Sequence, residues 1–165
     1  GLQTPRARSV NLKVDFPVLT PTSLRRTKSP LDFLHDYLSA SSSNDDHPAA
    51  PVERVLSMFD QEVSYFGNRL NHEGIRNDIE SYNKTYDQRS YQIAGTPRVT
   101  AQGVLTVLEY DLKFTVGFFE RTTINIPGIG PTETNTRAFR DGKLSMRMVL
   151  QRAEREWRIQ RIETR

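Results

Sequence analysis

The stretch V-L-T-V-L-E-Y-D-L-K-F-T-V-G-F-F, residues 104–119, decides the fold class. Apolar residues occupy every second position from Leu108 to Phe118, and charged residues or threonine lie between most of them. A period of two is typical of a strand with one buried and one solvated face. Sixteen residues at about 3.3 Å each span roughly 53 Å, so we expect a bend or a bulge in this strand.

Further strands flank this stretch. Before it, Tyr91 and Ile93 indicate a strand that Gly95 and Pro97 interrupt. After it, the proline- and glycine-rich residues 124–135 predict a long loop or a hairpin end. A strand then continues to a turn near residues 153–156, and a last strand follows. The apolar positions of the first of these two strands are Leu144, Met146, Met148 and Leu150, and one face of the last carries Trp157, Ile159 and Arg161.

Three amphipathic helices are predicted before these strands. The first begins at Ser29-Pro30, the second at Pro51, and the third near a capping Asn71. A short strand over residues 63–66 separates the second helix from the third. The apolar stripes are Leu31, Leu34 and Leu38; Val52, Val55, Leu56 and Phe59; and Ile75, Ile79, Tyr82 and Tyr86. We therefore expect an α+β fold in which three N-terminal helices pack in the concave face of a curved, mainly antiparallel sheet.

The first 29 residues are predicted to be a basic, proline-containing tether ahead of a domain spanning residues 30–165. Residues 1–30 carry six basic side chains against the one acid Asp15. Because acids interrupt the bases elsewhere in the chain, we do not expect the continuous positive stripe that binds nucleic acid. The chain has no cysteine and no apolar run long enough to cross a bilayer, so we expect no thiolate site and no transmembrane segment.

The order of elements resembles that of the nuclear transport factor 2-like superfamily, whose members are cone-shaped α+β barrels. The resemblance covers residues 30–165 and rests on Y-F-G-N (65–68) and Y-N-K-T-Y-D-Q-R-S-Y (82–91). These motifs are similar to those of a bacterial branch found as an accessory domain of secreted or envelope proteins. The resemblance implies a cavity between the helices and the sheet. Because the superfamily includes both enzymes and binding modules, it does not imply one activity.

Tyrosines and one arginine are the candidate residues for binding a small-molecule or peptide ligand in such a cavity. Tyrosines give an apolar wall with polar tips, and an arginine within that wall can hold a carboxylate. The alternative is that these side chains only fill the cone, with Arg89 paired to Asp87 or Glu80. The candidates are Tyr65, Tyr82, Tyr86, Arg89, Tyr91 and Tyr110.

No catalytic set is evident in the sequence. If the domain were an isomerase, cyclase or lyase, Asp60 or Glu62 would be the general base, with its pKa raised by burial in the cone. The histidines, His35, His47 and His72, lack a metal-ligand spacing, and the single G-x-G at 128–130 lacks the context of a dinucleotide site. We therefore expect no metal and no cofactor.

These observations favour a non-enzymatic ligand-binding or dimerisation module of a larger, exported bacterial protein. The chain starts at Gly1 rather than methionine, which is why we expect a larger protein. The expected location is periplasmic or secreted, although the composition also fits the cytoplasm. A homodimer through the outer face of the sheet would use Arg147, Arg158 and Arg161 against Glu109 and Asp111; the same charges would otherwise pair across strands within a monomer.

Overall fold

A computed structural model describes residues 28–165. It confirms the predicted α+β fold, in which three helices, all preceding β3, pack on a curved six-stranded sheet. The elements are α1 (Pro30–Ser41), α2 (Val52–Leu56), β1 (Phe59–Tyr65), β2 (Asn68–Asn71), α3 (His72–Thr85), β3 (Gln88–Gln102), β4 (Leu105–Ile126), β5 (Gly130–Ala153) and β6 (Glu156–Thr164).

The strands lie in the order β2-β1-β6-β5-β4-β3. The first strand, β1, runs parallel to the last strand, β6, and every other neighbouring pair is antiparallel. The core lies between the helices and the concave face of this sheet. Its fully buried side chains include Leu34, Ile75, Leu108, Met148 and Ile159. No helix within residues 28–165 has the length and apolarity that spanning a membrane requires.

Both long helices begin where their capping residues predict. The Ser29 hydroxyl accepts a 3.1 Å hydrogen bond from the backbone N–H of Asp32, and proline follows as the first residue of α1. The Asn71 side chain accepts a 2.9 Å bond from the N–H of Gly74 at the start of α3. These caps satisfy backbone donors that a helix leaves unpaired at its first turn.

The predicted tether, residues 1–29, lies outside the described residues except for Lys28 and Ser29. The indole Nε1 of Trp157 donates a 2.7 Å hydrogen bond to the carbonyl of Lys28, whose ammonium pairs with Asp36. Trp157 is half-buried and packs against the core cluster. The residue that precedes the α1 cap is thus attached to the last strand.

The second helix is shorter than predicted. It ends at Leu56, and Phe59, which we placed on its buried stripe, is the first residue of β1. Phe59 pairs with Ile159 of β6, and the N–H of Ile159 donates to the carbonyl of Met58. Pairing with β6, from the far end of the chain, therefore outweighs the helical spacing that placed Phe59 on α2.

The expected irregularity of the long strand lies in its neighbour instead. The pairing of β4 with β5 is continuous, so β4 contains no bulge. The register of β3 against β4 shifts between Ala94 and Arg98, where Gly95 has φ +71°. Gly95 and Pro97 thus mark a bulge in β3, because neither a left-handed glycine nor a proline without N–H fits a regular ladder.

A second irregularity changes the buried face of β6. The register against β5 shifts between Val149 and Leu150, so that Gln160 is extra. Ile159 and Ile162 are both buried as a result, whereas Arg161 is exposed. Our assignment of Arg161 to the face of Ile159 is therefore wrong.

Residues 124–135 are a hairpin end rather than a long loop. Strands β4 and β5 continue to a tight turn at residues 127–129. Within residues 28–165, no third strand lies beside the pairs from Phe118–Ala138 to Ile126–Gly130, because β3 begins opposite Gly117 and β6 pairs with β5 only from Met146 onward. We call this two-stranded ribbon, residues 118–138, the β-arm.

Candidate ligand-binding site

A cavity of about 280 Å³ opens between the helices and the concave face of the sheet. Helices α1, α2 and α3 supply one wall, and β1, β3, β4, β5 and β6 supply the other. Five of the six predicted binding residues line it together: Tyr65, Tyr82, Arg89, Tyr91 and Tyr110.

The sixth predicted residue, Tyr86, lies outside the lining. Its ring packs on Tyr82, with 4.7 Å between centroids, and edge-on against Phe118, at 5.9 Å. Tyr86 is the C-cap residue of α3 and directs its ring toward the base of the β-arm. The Tyr86 ring thus packs at the junction between α3 and the sheet.

Arg89 is the buried cation of the cavity. Its side chain is 4% exposed, and its Nε donates a 2.9 Å hydrogen bond to the carbonyl of Ser41. Its Nη1 donates a 2.8 Å bond to the carbonyl of Tyr86. Within residues 28–165 no carboxylate pairs with this guanidinium; Asp87, which we offered as one partner, binds Arg137 instead. Burial lowers the pKa of Arg89.

Three tyrosine hydroxyls of the cavity wall are held protonated by burial. Burial raises the pKa of Tyr65, Tyr91 and Tyr110 well above the usual range. Neighbouring hydroxyls add to this, Tyr82 acting on Tyr91 and Tyr37 on Tyr110. Tyr110 is 2% exposed, and its hydroxyl has no hydrogen-bond partner in the described part of the chain. A buried hydroxyl without a partner costs stability, so such a group beside a cavity marks a point of contact for a ligand or a water molecule.

The carboxylate at the cavity is Asp78, which the sequence analysis missed. Asp78 lies on α3, and its Oδ2 accepts a 2.8 Å hydrogen bond from the Tyr65 hydroxyl. The available signal was its place on the helix: three residues after Ile75 and four before Tyr82, on the apolar stripe. Asp78 itself is exposed, so its hydrogen bond to Tyr65, rather than burial, places its carboxylate at the cavity.

The two carboxylates that we did predict lie elsewhere. Asp60 and Glu62 are on β1, and neither lines the cavity. Asp60 accepts hydrogen bonds from the backbone N–H of Gln61 and from the Gln160 side chain. Glu62 pairs with Arg69 across the β1–β2 hairpin at 3.0 Å, and its side chain is 63% exposed. The predicted general bases are thus surface carboxylates.

Large apolar side chains surround the mouth of the cavity. Phe66, Tyr82 and Leu144 all line it, and they are 45%, 39% and 41% exposed. Exposed apolar groups that meet at one opening are less common than scattered ones, and they mark places where a ligand is received. The cavity thus has a mainly apolar interior with a few polar groups, and large apolar side chains stand at its mouth.

The outer face of the sheet carries ion pairs within the chain. Arg147 binds Glu109 at 3.0 Å and Glu163 at 3.3 Å, so one arginine joins β4, β5 and β6. The other charges that we assigned to a dimer face also have partners in the chain, at 2.8–3.6 Å: Arg158 with Glu156, Arg161 with Glu163, and Asp111 with Arg165. Of the predicted pairs, Arg147–Glu109 forms across strands, whereas Arg158 and Arg161 pair with glutamates of their own strand, β6. The homodimer stays a prediction.

No group of three or more metal-ligating side chains within residues 28–165 could hold an ion. The ring nitrogens of His47 and His72 lie 2.8 and 3.0 Å from the backbone carbonyls of Ser39 and Phe59. The His47 ring thus links the loop after α1 to α1, and the His72 ring links α3 to β1.

The helices and the curved sheet thus form an α+β cone around a cavity. No protein-family profile matches the chain, and no curated protein matches its sequence significantly. Solved structures do match. A nuclear transport factor 2-like superfamily protein from Salmonella enterica superposes with a TM-score of 0.57 at 15% identity, over 81% of this chain and 85% of that one.

Two further structures agree. A candidate scytalone dehydratase from Novosphingobium aromaticivorans gives a TM-score of 0.54 at 14% identity, over 82% of this chain and 79% of that one. Bd1075 of Bdellovibrio bacteriovorus gives 0.56 at 10% identity, over 81% of this chain but 38% of its own length. The chain therefore has the nuclear transport factor 2-like fold that the sequence predicts, and it spans well under half of Bd1075.

Proposed function

We propose that this domain is a non-enzymatic binding module of a larger, exported bacterial protein, and that its cavity holds a small, mainly apolar molecule with an acidic group. The observation that carries the proposal is Arg89, a buried guanidinium that lines the cavity without a carboxylate partner among the described residues. Buried charges are normally paired. A ligand carboxylate would complete the pair.

Arg89 has donors to spare for such a group. A guanidinium has five N–H donors, and its hydrogen bonds to Ser41 and Tyr86 use two of them. Hydrogen bonds between a guanidinium and a carboxylate are stronger than neutral ones and are often bidentate. The Tyr110 hydroxyl supplies a further donor without a partner in the described chain.

The rest of the lining suits an apolar body. Leu38, Val55, Leu112, Met146 and Ile162 line the cavity together with the tyrosine rings. Ligand pockets typically combine such apolar walls with a few polar groups that fix orientation. A bicyclic molecule with two fused six-membered rings and one carboxylate matches the cavity in size and chemistry.

A matched pair of probes tests the proposal without any mutation. Binding of 2-naphthoate and of its neutral counterpart 2-naphthylmethanol is measured by isothermal titration calorimetry at pH 7. We expect the acid to bind at least tenfold more tightly, because only the acid forms charge-assisted bonds to Arg89. Equal affinities, or no binding of either probe, would refute the proposal.

Two conservative variants locate the binding in the cavity. Tyr110→Phe removes the buried hydroxyl, and we expect it to change 2-naphthoate affinity by severalfold. Tyr86→Phe is the control, since that ring lies outside the lining, and its affinity should equal that of the unmodified chain. If Tyr86→Phe alters binding as much as Tyr110→Phe, the ligand lies outside the cavity.

A second candidate function is acid–base catalysis by Asp78. The Tyr65–Asp78 hydrogen bond places a carboxylate and a phenol at the cavity wall, and such a pair can remove and return a proton next to a carbonyl. Among structures of this fold is the candidate dehydratase from Novosphingobium. This reading replaces Asp60 and Glu62 as the general base.

Proton exchange separates the two functions. In D₂O, an enzyme of this kind would exchange the hydrogens next to the carbonyl of 1-tetralone, which NMR detects. Asp78→Asn would abolish the exchange, whereas Asp60→Asn would leave it unchanged. Binding of 2-naphthoate with no exchange above the buffer rate supports the non-enzymatic module.

A further inference from the structure

We propose that Phe66 is a specificity residue of this cavity, held at the mouth to stack on an aromatic ring of the ligand. The inference rests on the proposed function and names the ligand class more narrowly: aromatic acids rather than alkyl acids. It rests on where Phe66 lies, on its backbone conformation and on its exposure.

Phe66 and Gly67 form the two-residue turn between β1 and β2. Their φ angles are +48° and +87°, and the flanking residues Tyr65 and Asn68 pair across the hairpin. Two positive φ angles identify a type I′ turn, whose first position normally holds asparagine, aspartate or glycine. A bulky side chain is strained there, because its Cβ crowds the carbonyl oxygen.

Packing within the domain compensates little of this strain. The Phe66 ring is 45% exposed, and its ring contact is an edge-on approach to Tyr65 with 4.9 Å between centroids. Core burial therefore does not account for phenylalanine in this turn. Strained residues of this sort cluster at ligand-binding sites, where the surrounding structure holds them in place.

The position of the Phe66 ring indicates a role in ligand binding. Phe66 lines the same cavity as Arg89 and stands at its exposed edge with Tyr82 and Leu144. The neighbouring Tyr65 links the turn to α3 through its hydrogen bond to Asp78. A ligand whose acid reaches Arg89 would present its opposite end to this edge, where an aromatic ring gains from offset or edge-on contact with Phe66.

The test compares two turns of this chain. Phe66→Asn inserts the residue that a type I′ turn favours. Glu154→Asn relieves the same kind of backbone strain at the β5–β6 turn. Glu154 has φ +59° there and does not line the cavity. The probes are 2-naphthoate and decanoate, measured by calorimetry, with the melting temperature of each variant.

We expect both variants to keep or raise the melting temperature, because asparagine tolerates a positive φ better than phenylalanine or glutamate does. For Glu154→Asn we expect a rise of about 2–4 °C in a domain of this size. Phe66→Asn should weaken 2-naphthoate binding about tenfold while changing decanoate binding less than twofold. Glu154→Asn should change neither affinity. Phe66→Leu, which keeps apolar area without a ring, should also lose the preference for 2-naphthoate.

Unchanged 2-naphthoate affinity in Phe66→Asn would overturn this inference and leave the proposed function standing. Equal weakening for both acids would also overturn it, because the loss would then not concern the ring. If the unmodified domain binds neither acid, the proposed function itself fails, and this inference with it.

Discussion

The Nε of Arg89 donates a 2.9 Å hydrogen bond to the carbonyl of Ser41, the last residue of α1. The same guanidinium bonds the carbonyl of Tyr86, the C-cap residue of α3. One cation at the start of β3 thus holds the C-terminal ends of two helices, where helix dipoles favour positive charge. The residue that would bind a ligand acid also fixes the cavity wall.

Arg89→Leu should therefore destabilise the domain. It leaves two carbonyls without their donors, and we expect the free energy of unfolding to fall by about 2–4 kcal/mol in urea denaturation. Arg98→Leu, also on β3, is the control, because the Arg98 side chain is 78% exposed and its ion pair is long at 3.6 Å. Similar losses in the two variants would contradict this role of Arg89.

Stability should fall at alkaline pH. Burial raises the pKa of Tyr37 to about 12, and burial also raises the pKa of Tyr65, Tyr91 and Tyr110. An unfolded tyrosine titrates near pH 10, so the folded state retains these protons more tightly. The stabilisation is complete below pH 10 and declines above it, and the contribution of Tyr37 is lost as the pH rises through about 12.

Urea denaturation at pH 8.5, 10 and 11.5, together with tyrosinate absorbance, measures this loss. Tyr37→Phe removes one of the groups and should make the decline shallower. A free energy of unfolding that stays constant to pH 11.5 in the unmodified chain would show that these hydroxyls are not buried.

A glycine accommodates an aromatic ring across the sheet. Gly142 of β5 lies opposite Phe114 of β4, and a Cβ there would collide with the ring, 2.6 Å from Cε1. Gly142→Ala should cost about 1–3 kcal/mol of stability because of this overlap. In a Phe114→Ala background the same substitution should cost less. Equal costs in the two backgrounds would rule out this steric explanation.

The β-arm should be dispensable for the fold and for the cavity. Phe119 and Arg137 are directly opposed, so an Asn-Gly turn can replace residues 120–136. The shortened chain keeps the bidentate contact of Arg137 with Asp87 at 2.6 and 2.9 Å and the ring contact of Phe118 with Tyr86. We expect an unchanged melting temperature, within about 3 °C, and unchanged 2-naphthoate affinity; a larger loss of either would show that the β-arm supports the cone.

The fold was predictable because the strand alternation and the helix caps are clear in the sequence. The alternation around Tyr110 and the caps at Ser29 and Asn71 lie where the structure uses them. The errors are at places set by distant contacts. Phe59 pairs with Ile159, a hundred residues away, and no local spacing reveals that partner. The bulge at Gln160 similarly depends on the register of β6 against β5.

The site was predictable in part for the same reason. Residues such as Tyr65 and Arg89 were selected for their chemistry, and the fold brings them to one cavity. Asp78 was missed because an exposed carboxylate on a helix is ordinary, and the sequence does not reveal its hydrogen bond to Tyr65. The tether, the homodimer and the exported location stay predictions, since they concern residues or partners beyond the described domain.

The most direct measurement of the central claim is a crystal structure of the domain with 6-bromo-2-naphthoate, whose bromine is located by anomalous scattering. We predict the carboxylate within hydrogen-bond distance of Arg89, and the bromine near Phe66 at the mouth of the cavity. Bromine at any other site, or a crystal grown with the acid in excess and no bromine in the cavity, would contradict the account.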